Sequence, residues 1–235
     1  MEYPKINSLY KRAGMFWHEG NQKMQYDRSK SHELIIGEYA LPEYGLIKHW
    51  QVFEKIDGTN IRITYEQEKP ITDASKMVVR FDGRTKDSSI PSFLLRYLQD
   101  TFTVEKLSSV FQGSQRVILY GEGYGPKIQN GGSYRDAVSF IAFDIYVGSH
   151  DEAGWWLDYE RRLDICKKLE IDHVPLLHSK ATEQEIVDFV KLNPQSRISK
   201  DQCFRMEGIV ATTDPILRLR NGQPIKFKLR CEDFE

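Results

Sequence analysis

Apolar and polar residues alternate in several short runs: "WQVFEKI", "NIRITYE", "KMVVRF", "RVILYGE", "SFIAFDIYV", "FRMEGIVAT" and "IKFKLR". Period-two alternation rich in valine, isoleucine and aromatics predicts half-buried strands. Residues 52–63, "VFEKIDGTNIRI", read as a hairpin, two such runs joined at Asp57-Gly58. Three other segments carry helical signals. "PSFLLRYLQDTF" opens with Pro91 at a helix-first position. "DYERRLDICKKLEI" spaces Leu163, Cys166 and Leu169 every third residue. "TEQEIVDFVKLN" opens with a capping box, Thr182 and Glu185. Strands outnumber helices and do not alternate regularly with them, so the expected class is α+β with mainly antiparallel sheets.

Residues 1 to about 50 lack such a pattern and read as irregular, including the polar run "EGNQKMQYDRSKSHE". No repeat or low-complexity segment interrupts the chain. A single domain over residues 1–235 is expected, with its patterned core at 50–230. No Gly-rich dinucleotide or P-loop motif occurs.

Charge narrows the picture only slightly. The formal net charge of −1 excludes a uniformly basic nucleic-acid coat but leaves room for a local basic groove. Cys166, Cys203 and Cys231 are far apart and odd in number, which disfavours a zinc site or a disulfide framework and fits reduced thiols in the cytoplasm. No apolar run is long enough to span a membrane. The N-terminal residues form no secretory signal.

Several strands carry charges that packing alone does not require. Lys55 sits in "KIDGTN" beside Glu54 and Asp57. A lysine amine is a nucleophile only when neutral, and its ordinary pKa of about 10.4 makes that state rare near pH 7. By itself the segment reads first as a charged turn. "RFDGRT" offers Arg80 and Arg84 for a phosphate or ribose, or an ordinary charged turn. "ILYGEGYG" ends an apolar strand on Glu122 among small residues. "FIAFDIYV" places Asp144 in an apolar strand next to Phe143, which serves either the core or a stacked base. Glu207 interrupts "MEGIV", and period two puts Lys226 and Lys228 on one strand face. Together these residues supply a lysine nucleophile, two further lysines for phosphate and carboxylates for Mg²⁺, the requirements of phosphoryl transfer to an amine.

The ordered set "KIDGTN", "GRT", "YGEG", "AFDI", "EGIV", "KFK" resembles the covalent lysyl nucleotidyltransferases, which comprise RNA ligases, DNA ligases and mRNA-capping guanylyltransferases. The resemblance runs from about Trp50 to Arg230. Asn60, five residues after the lysine, resembles the RNA ligase 2 branch, where DNA ligases and capping enzymes carry arginine. "LYGEGYGPKIQNGGSYR" and "YPKINSLYKR" are similar to compact phage and bacterial RNA ligases. After Lys228 only "LRCEDFE" remains, so neither an OB-fold nor a helical C-terminal domain is expected.

The resemblance implies a nucleotidyltransferase fold with the nucleotide in a cleft between sheets flanked by helices. It implies an ATP-dependent RNA ligase, using Mg²⁺ with Mn²⁺ as an alternative, that joins 5′-phosphate and 3′-hydroxyl ends. The alternatives are a DNA ligase, a capping guanylyltransferase or a non-catalytic RNA-binding relic. Carried over by motif, Lys55 is the nucleophile, and Lys226 and Lys228 grip the α-phosphate. Asp57, Glu122 and Glu207 serve hydrated metal or ribose, Glu122 the ribose in particular. Phe143 stacks on adenine, Arg84 contacts sugar or phosphate, and Asn60 orients pyrophosphate. The Glu54 carbonyl reads the adenine amino group, while its side chain reads equally as a surface charge. Lys11, Arg12, Lys127 and Arg135 are candidates for RNA or pyrophosphate contact. The expected setting is RNA repair in bacterial or phage-infected cytoplasm, by a monomer without membrane attachment, beside an RNA end-processing enzyme.

Overall fold

The computed structural model describes residues 1–18, 20, 23–26, 33–68, 76–85, 88–149, 154–201 and 203–235. Most of the polar run at 19–33 lies outside them. The chain forms two compact units. A terminal unit comprises Pro4–Lys55, Pro175–Arg197 and Gln202–Glu235; a mid-chain unit comprises Met1–Tyr3, Ile56–Val174 and Ile198–Asp201. The single expected domain therefore contains two cores, each on its own sheet.

The terminal unit begins with β1 (Asn7–Ser8), β2 (Tyr10–Arg12), β3 (Met15–His18), β4 (Lys23–Tyr26), β5 (Leu34–Tyr39) and β6 (Trp50–Lys55). Among its described residues, the N-terminal segment expected to be irregular thus contains five short strands before β6. Two-residue β1 runs parallel to the C-terminal strand of the unit, a pairing too short and too remote to leave a periodic signature. The mid-chain unit carries β7 (Thr59–Gln67), β8 (Met77–Asp82), α1 (Ser92–Thr101), α2 (Val104–Val110), β9 (Arg116–Tyr124), β10 (Ser139–Gly148), β11 (Trp155–Trp156), α3 (Tyr159–Lys168) and β12 (Asp172–His173). The chain then returns through β13 (Leu176–Ala181), α4 (Glu183–Lys191), β14 (Gly208–Thr212) and β15 (Lys226–Arg230). The class is α+β, and most strand pairs are antiparallel.

In the terminal unit the sheet order is β1-β15-β14-β6-β13. Directly opposed residues in a sheet project to the same face. One face therefore carries Trp50 and Val52, Ile209 and Ala211, and Phe227 and Leu229. These pack with Ile186, Val187 and Val190 of α4 into one core. The Thr182–Glu185 capping box closes the first turn of α4 as predicted.

In the mid-chain unit the order is β11-β10-β9-β7-β8, with β12 also on β10. Its core face places Ile61, Ile63, Val117, Leu119, Ala142 and Ile145 against Leu94, Leu98, Leu107 and Cys166 of the helices. The opposite face carries Asn60, Arg62, Thr64 and Glu66 of β7 and, across from them on β9, Glu122, Tyr120, Ile118 and Arg116.

One expectation is overturned. β6 and β7 are not a hairpin: β6 pairs with β14 and β13, and β7 with β8 and β9. Asp57 and Gly58 form the link between the two units' sheets. A Cβ at Gly58 would lie 2.6 Å from the Gly123 carbonyl oxygen, so glycine is needed for the link to pass against β9.

Candidate nucleotidyl-transfer residues

Lys55 ends β6, an interior strand of its sheet. Lys55 opposes Gly208 of β14, Phe53 opposes Val210, and Gln51 opposes Thr212. The same β14 residues oppose Arg230, Lys228 and Lys226 of β15. Lys55, Lys226 and Lys228 therefore share one sheet face, opposite the core. Strand pairing thus joins residues far apart in the chain.

Lys55 Nζ donates to Glu207 Oε2 at 2.5 Å, with 23% and 26% of the two side chains exposed. Glu207 immediately precedes β14. At Gly208 a Cβ would fall 2.1 Å from the Leu229 carbonyl oxygen, so glycine lets the strand start beside its neighbour and carries Glu207 to the lysine. Lys226 is buried, and its carbonyl accepts from the Tyr44 hydroxyl at 2.6 Å.

Glu54 alternates to the opposite side from Lys55 and is 1% exposed, so its side chain is no surface charge. Its carboxylate accepts from Ser196 Oγ at 2.5 Å and from the Arg197 backbone N–H at 2.8 Å. Burial pushes this carboxyl above its ordinary range, and the Ser196 and Arg197 bonds only partly offset that. Its own N–H donates to the Pro175 carbonyl at 3.1 Å. Glu54 thus anchors the residues around Ser196 to the strand that ends on Lys55. No sequence signal marks Ser196 or Arg197 as its partner, because the bond to Arg197 is made by backbone.

In the mid-chain unit Asp57 is held at both ends. Its N–H donates to the Tyr134 hydroxyl at 3.1 Å, and its carboxylate accepts from Asn130 Nδ2 at 2.7 Å. The loop "PKIQNGGSYR" therefore braces the link after Lys55, a role that sequence reasoning missed. Asn60 and Glu122 are direct cross-strand neighbours on one face. The Asn60 Oδ1 is buried without a hydrogen-bond partner among the described residues. Such a group costs about 1–3 kcal/mol unless a ligand or water satisfies it. Its position fits a polar ligand.

Arg84 lies exposed in the bend after β8, whereas Arg80 pairs with Glu66 at 2.8 Å. Phe143 occupies a β-bulge: Ala142 opposes Gly121 and Asp144 opposes Tyr120, leaving Phe143 unmatched on β9. Bulges re-aim side chains, and here the half-buried ring leaves the core series. Asp144 pairs with Arg162 of α3 at 2.6 Å, and both side chains are almost fully buried.

The four tentative cations differ. Lys127 is exposed, with a left-handed φ of 68°. Lys11 pairs with Glu38 at 3.2 Å on the surface. Arg12 pairs with the buried Asp233 carboxylate at 2.8 Å, a tie that holds β2 to the C-terminal turn. Arg135 donates to both Asp172 and the Tyr124 hydroxyl at 3.0 Å.

Among the described residues no three or more His, Cys, Asp or Glu side chains cluster to hold a metal directly. The carboxylates of Asp57, Glu122 and Glu207 are oxygen donors, the type of group that hydrated divalent ions take.

Residues 48–228 match the RNA ligase family. The chain belongs to the RNA ligase family. The match begins just before β6 and ends at Lys228, so it contains every family motif named above except the N-terminal cations. No curated protein matches the chain. Among solved structures, a Naegleria gruberi RNA ligase mutant with ATP and Mn is 18% identical at a TM-score of 0.55, covering 98% of this chain and 61% of that one. The same organism's RNA ligase with pyrophosphate is 18% identical at a TM-score of 0.54, covering 97% and 61%. Another mutant of it, with AMP and Mn, has the same identity and coverage at a TM-score of 0.54. At this identity the likeness establishes the fold, that of an RNA ligase nucleotidyltransferase. The chain spans about three fifths of the length of these solved structures.

Proposed function

We propose that the protein is an ATP-dependent RNA ligase that joins a 5′-phosphate to a 3′-hydroxyl through a lysyl-AMP intermediate. The observation that carries this reading is the Lys55–Glu207 contact on the sheet face that also bears Lys226 and Lys228. Family membership supports the substrate class.

Attack requires Lys55 to lose a proton, and the Glu207 carboxylate at 2.5 Å is placed to receive it. Lys55 Nζ then bonds to the α-phosphorus of ATP, and the bond from that phosphorus to pyrophosphate breaks. Lys226 and Lys228 offset the charge that builds on the phosphoryl oxygens. Next an RNA 5′-phosphate oxygen attacks the same phosphorus, the N–P bond breaks and the lysine regains a proton. The 3′-hydroxyl finally attacks the activated 5′ phosphorus and releases AMP. A bound divalent ion, Mg²⁺ or Mn²⁺, would withdraw charge from the phosphates. Asp57, Glu122 and Glu207 would hold its waters.

Phe143 supports the adenine ring, Glu122 the ribose, Arg84 a sugar or phosphate oxygen, and Asn60 the phosphate chain. The Glu54 carbonyl meets the adenine amino group. Lys127 is the best placed of the four outlying cations for RNA or pyrophosphate. Lys11 can also serve, since a surface ion pair contributes about 1 kcal/mol at most. Cys166, Cys203 and Cys231 as reduced thiols fit a reducing compartment, the cytoplasm of a bacterial or phage-infected cell. No helix among the described residues is long and apolar enough to cross a membrane. We place the protein there as a monomer acting on ends that an RNA end-processing enzyme prepares.

Labelled ATP and Mg²⁺ should give an acid-labile, alkali-stable adduct on the wild type and none on Lys55→Ala. Chasing the adduct with 5′-phosphorylated RNA should yield sealed product. An equal adduct on Lys55→Ala would end this reading.

A further inference from the structure

Phe143, placed above beneath the adenine ring, is not braced by its own strand. The bulge removes its β9 partner, so something else must fix the ring plane. Two groups surround it. Arg162 of α3 donates to the Phe143 carbonyl and to Asp144 Oδ1, fixing the backbone of the bulge. Tyr3 fixes the side chain. Its ring meets that of Phe143 edge-on, with centroids 5.0 Å apart and planes at 67°. The Tyr3 hydroxyl donates to the other carboxylate oxygen, Asp144 Oδ2.

Tyr3 is itself held on three sides. Its ring lies 5.0 Å from that of Tyr120 and 5.9 Å from that of Trp156. Tyr120 stacks on Trp156 at 5.5 Å, and its hydroxyl donates to the Met1 carbonyl at 2.9 Å. Burial first, and then the Asp144 charge, push the Tyr3 phenol well above its ordinary pKa, so it remains a neutral donor. The first three residues thus form a strap over the polar face of the mid-chain sheet. One end is tied to Tyr120 and the other to the residue following Phe143.

We propose that Tyr3 is a positioning residue for the purine of the nucleoside triphosphate: through Asp144 and the edge contact it sets the plane of the Phe143 ring on which the base stacks. The inference rests on the adenylyltransfer reading above. An edge-to-face pair contributes about 0.5–1.5 kcal/mol beyond its buried area, enough to select one ring orientation over others. The expected signature is weaker ATP binding without loss of the chemical step.

The test measures Lys55 adenylylation against ATP concentration, together with inhibition by ribose 5-triphosphate, which has the phosphates but no base. Tyr3→Phe keeps the ring and loses the bond to Asp144; it should raise KM for ATP roughly threefold to tenfold and leave kcat unchanged. Tyr3→Ala should raise KM about tenfold or more. Inhibition by ribose 5-triphosphate should be the same in the wild type and both variants. In a Phe143→Ala background, Tyr3→Ala should add less than about twofold, because its route of action is already gone.

An unchanged KM in both variants would overturn the inference. So would an equal weakening of ATP and ribose 5-triphosphate, or full additivity with Phe143→Ala. If Tyr3→Ala does not fold, Tyr3→Phe decides the matter on the same readouts. Absence of any adduct on the wild type would instead refute the ligase reading, so the two failures are distinguishable.

Discussion

Two ion pairs, one in each unit, look alike in the sequence and differ in the structure. Asp144 and Glu207 each interrupt an apolar run, and each finds a cation more than fifteen residues away in the chain. Asp144 and Arg162 are 1% and 3% exposed, and Arg162 also caps the Phe143 carbonyl. Glu207 and Lys55 are about one quarter exposed at the end of their strands. Removing both charges of a buried pair from water is costly, and breaking the pair leaves one charge stranded. A partly exposed pair can open and exchange its partner for a ligand at smaller cost. The first arrangement suits a brace and the second a reacting group.

The comparison predicts opposite responses to single substitutions. Glu207→Gln should slow adenylylation by roughly 10²-fold or more, because the proton acceptor beside Lys55 is lost. Its stability should change by no more than about 1 kcal/mol, since the pair is partly solvated. Single-turnover labelling together with a denaturation midpoint measures both. An undiminished rate would remove Glu207 from the chemistry and erase the contrast. Asp144→Ala should do the reverse in kind: a loss of about 3–5 kcal/mol in unfolding free energy, because Arg162 is left charged and buried. Urea unfolding read at a mid-chain tryptophan such as Trp156 follows that unit. A loss below about 1 kcal/mol would show that Arg162 reaches water and that the two pairs do not differ as described.

This contrast also explains what could be read in the chain. Seven of the strands, β6 to β10, β14 and β15, and three of the helices were legible because each has a strong local period, and the capping box at Thr182 and Glu185 is a local code. The one-face placement of Lys226 and Lys228 followed from the same periodicity. The hairpin at Asp57-Gly58 was misread because the turn signal is local while the choice of sheet partner is not: β6 pairs with strands more than a hundred residues downstream. The short N-terminal strands were missed because two or three residues carry no period. The Phe143 bulge was legible in principle. Core-facing residues fall at 140 and 142, then at 145 and 147, so the phase shifts by one at Phe143. Which charge reacts and which one braces depends on burial, and burial is set by packing that the alternation of residue types does not encode.

Glu54 sharpens the comparison, since it is as buried as Asp144 yet its carboxylate accepts hydrogen bonds from neutral groups, the Ser196 hydroxyl and the Arg197 backbone N–H. Burial raises its carboxyl above the ordinary range. A raised carboxyl favours the protonated form in the folded state. Its contribution is therefore fully present below the unfolded pKa and is lost as pH rises through the folded value. Wild-type protein should thus lose stability from this group as pH increases from the ordinary carboxyl range toward neutrality. Glu54→Gln cannot ionise; its amide oxygen can accept from the Arg197 N–H while its NH2 donates to the Ser196 hydroxyl, so its stability should fall less over the same interval. Denaturation midpoints of the two proteins at pH 4, 5, 6 and 7 give the measurement, with effects on labelling smaller than those of Glu207→Gln. Parallel midpoint curves would mean that the two hydrogen bonds fully satisfy the carboxylate, and that a buried charge in this fold does not need an ionic partner.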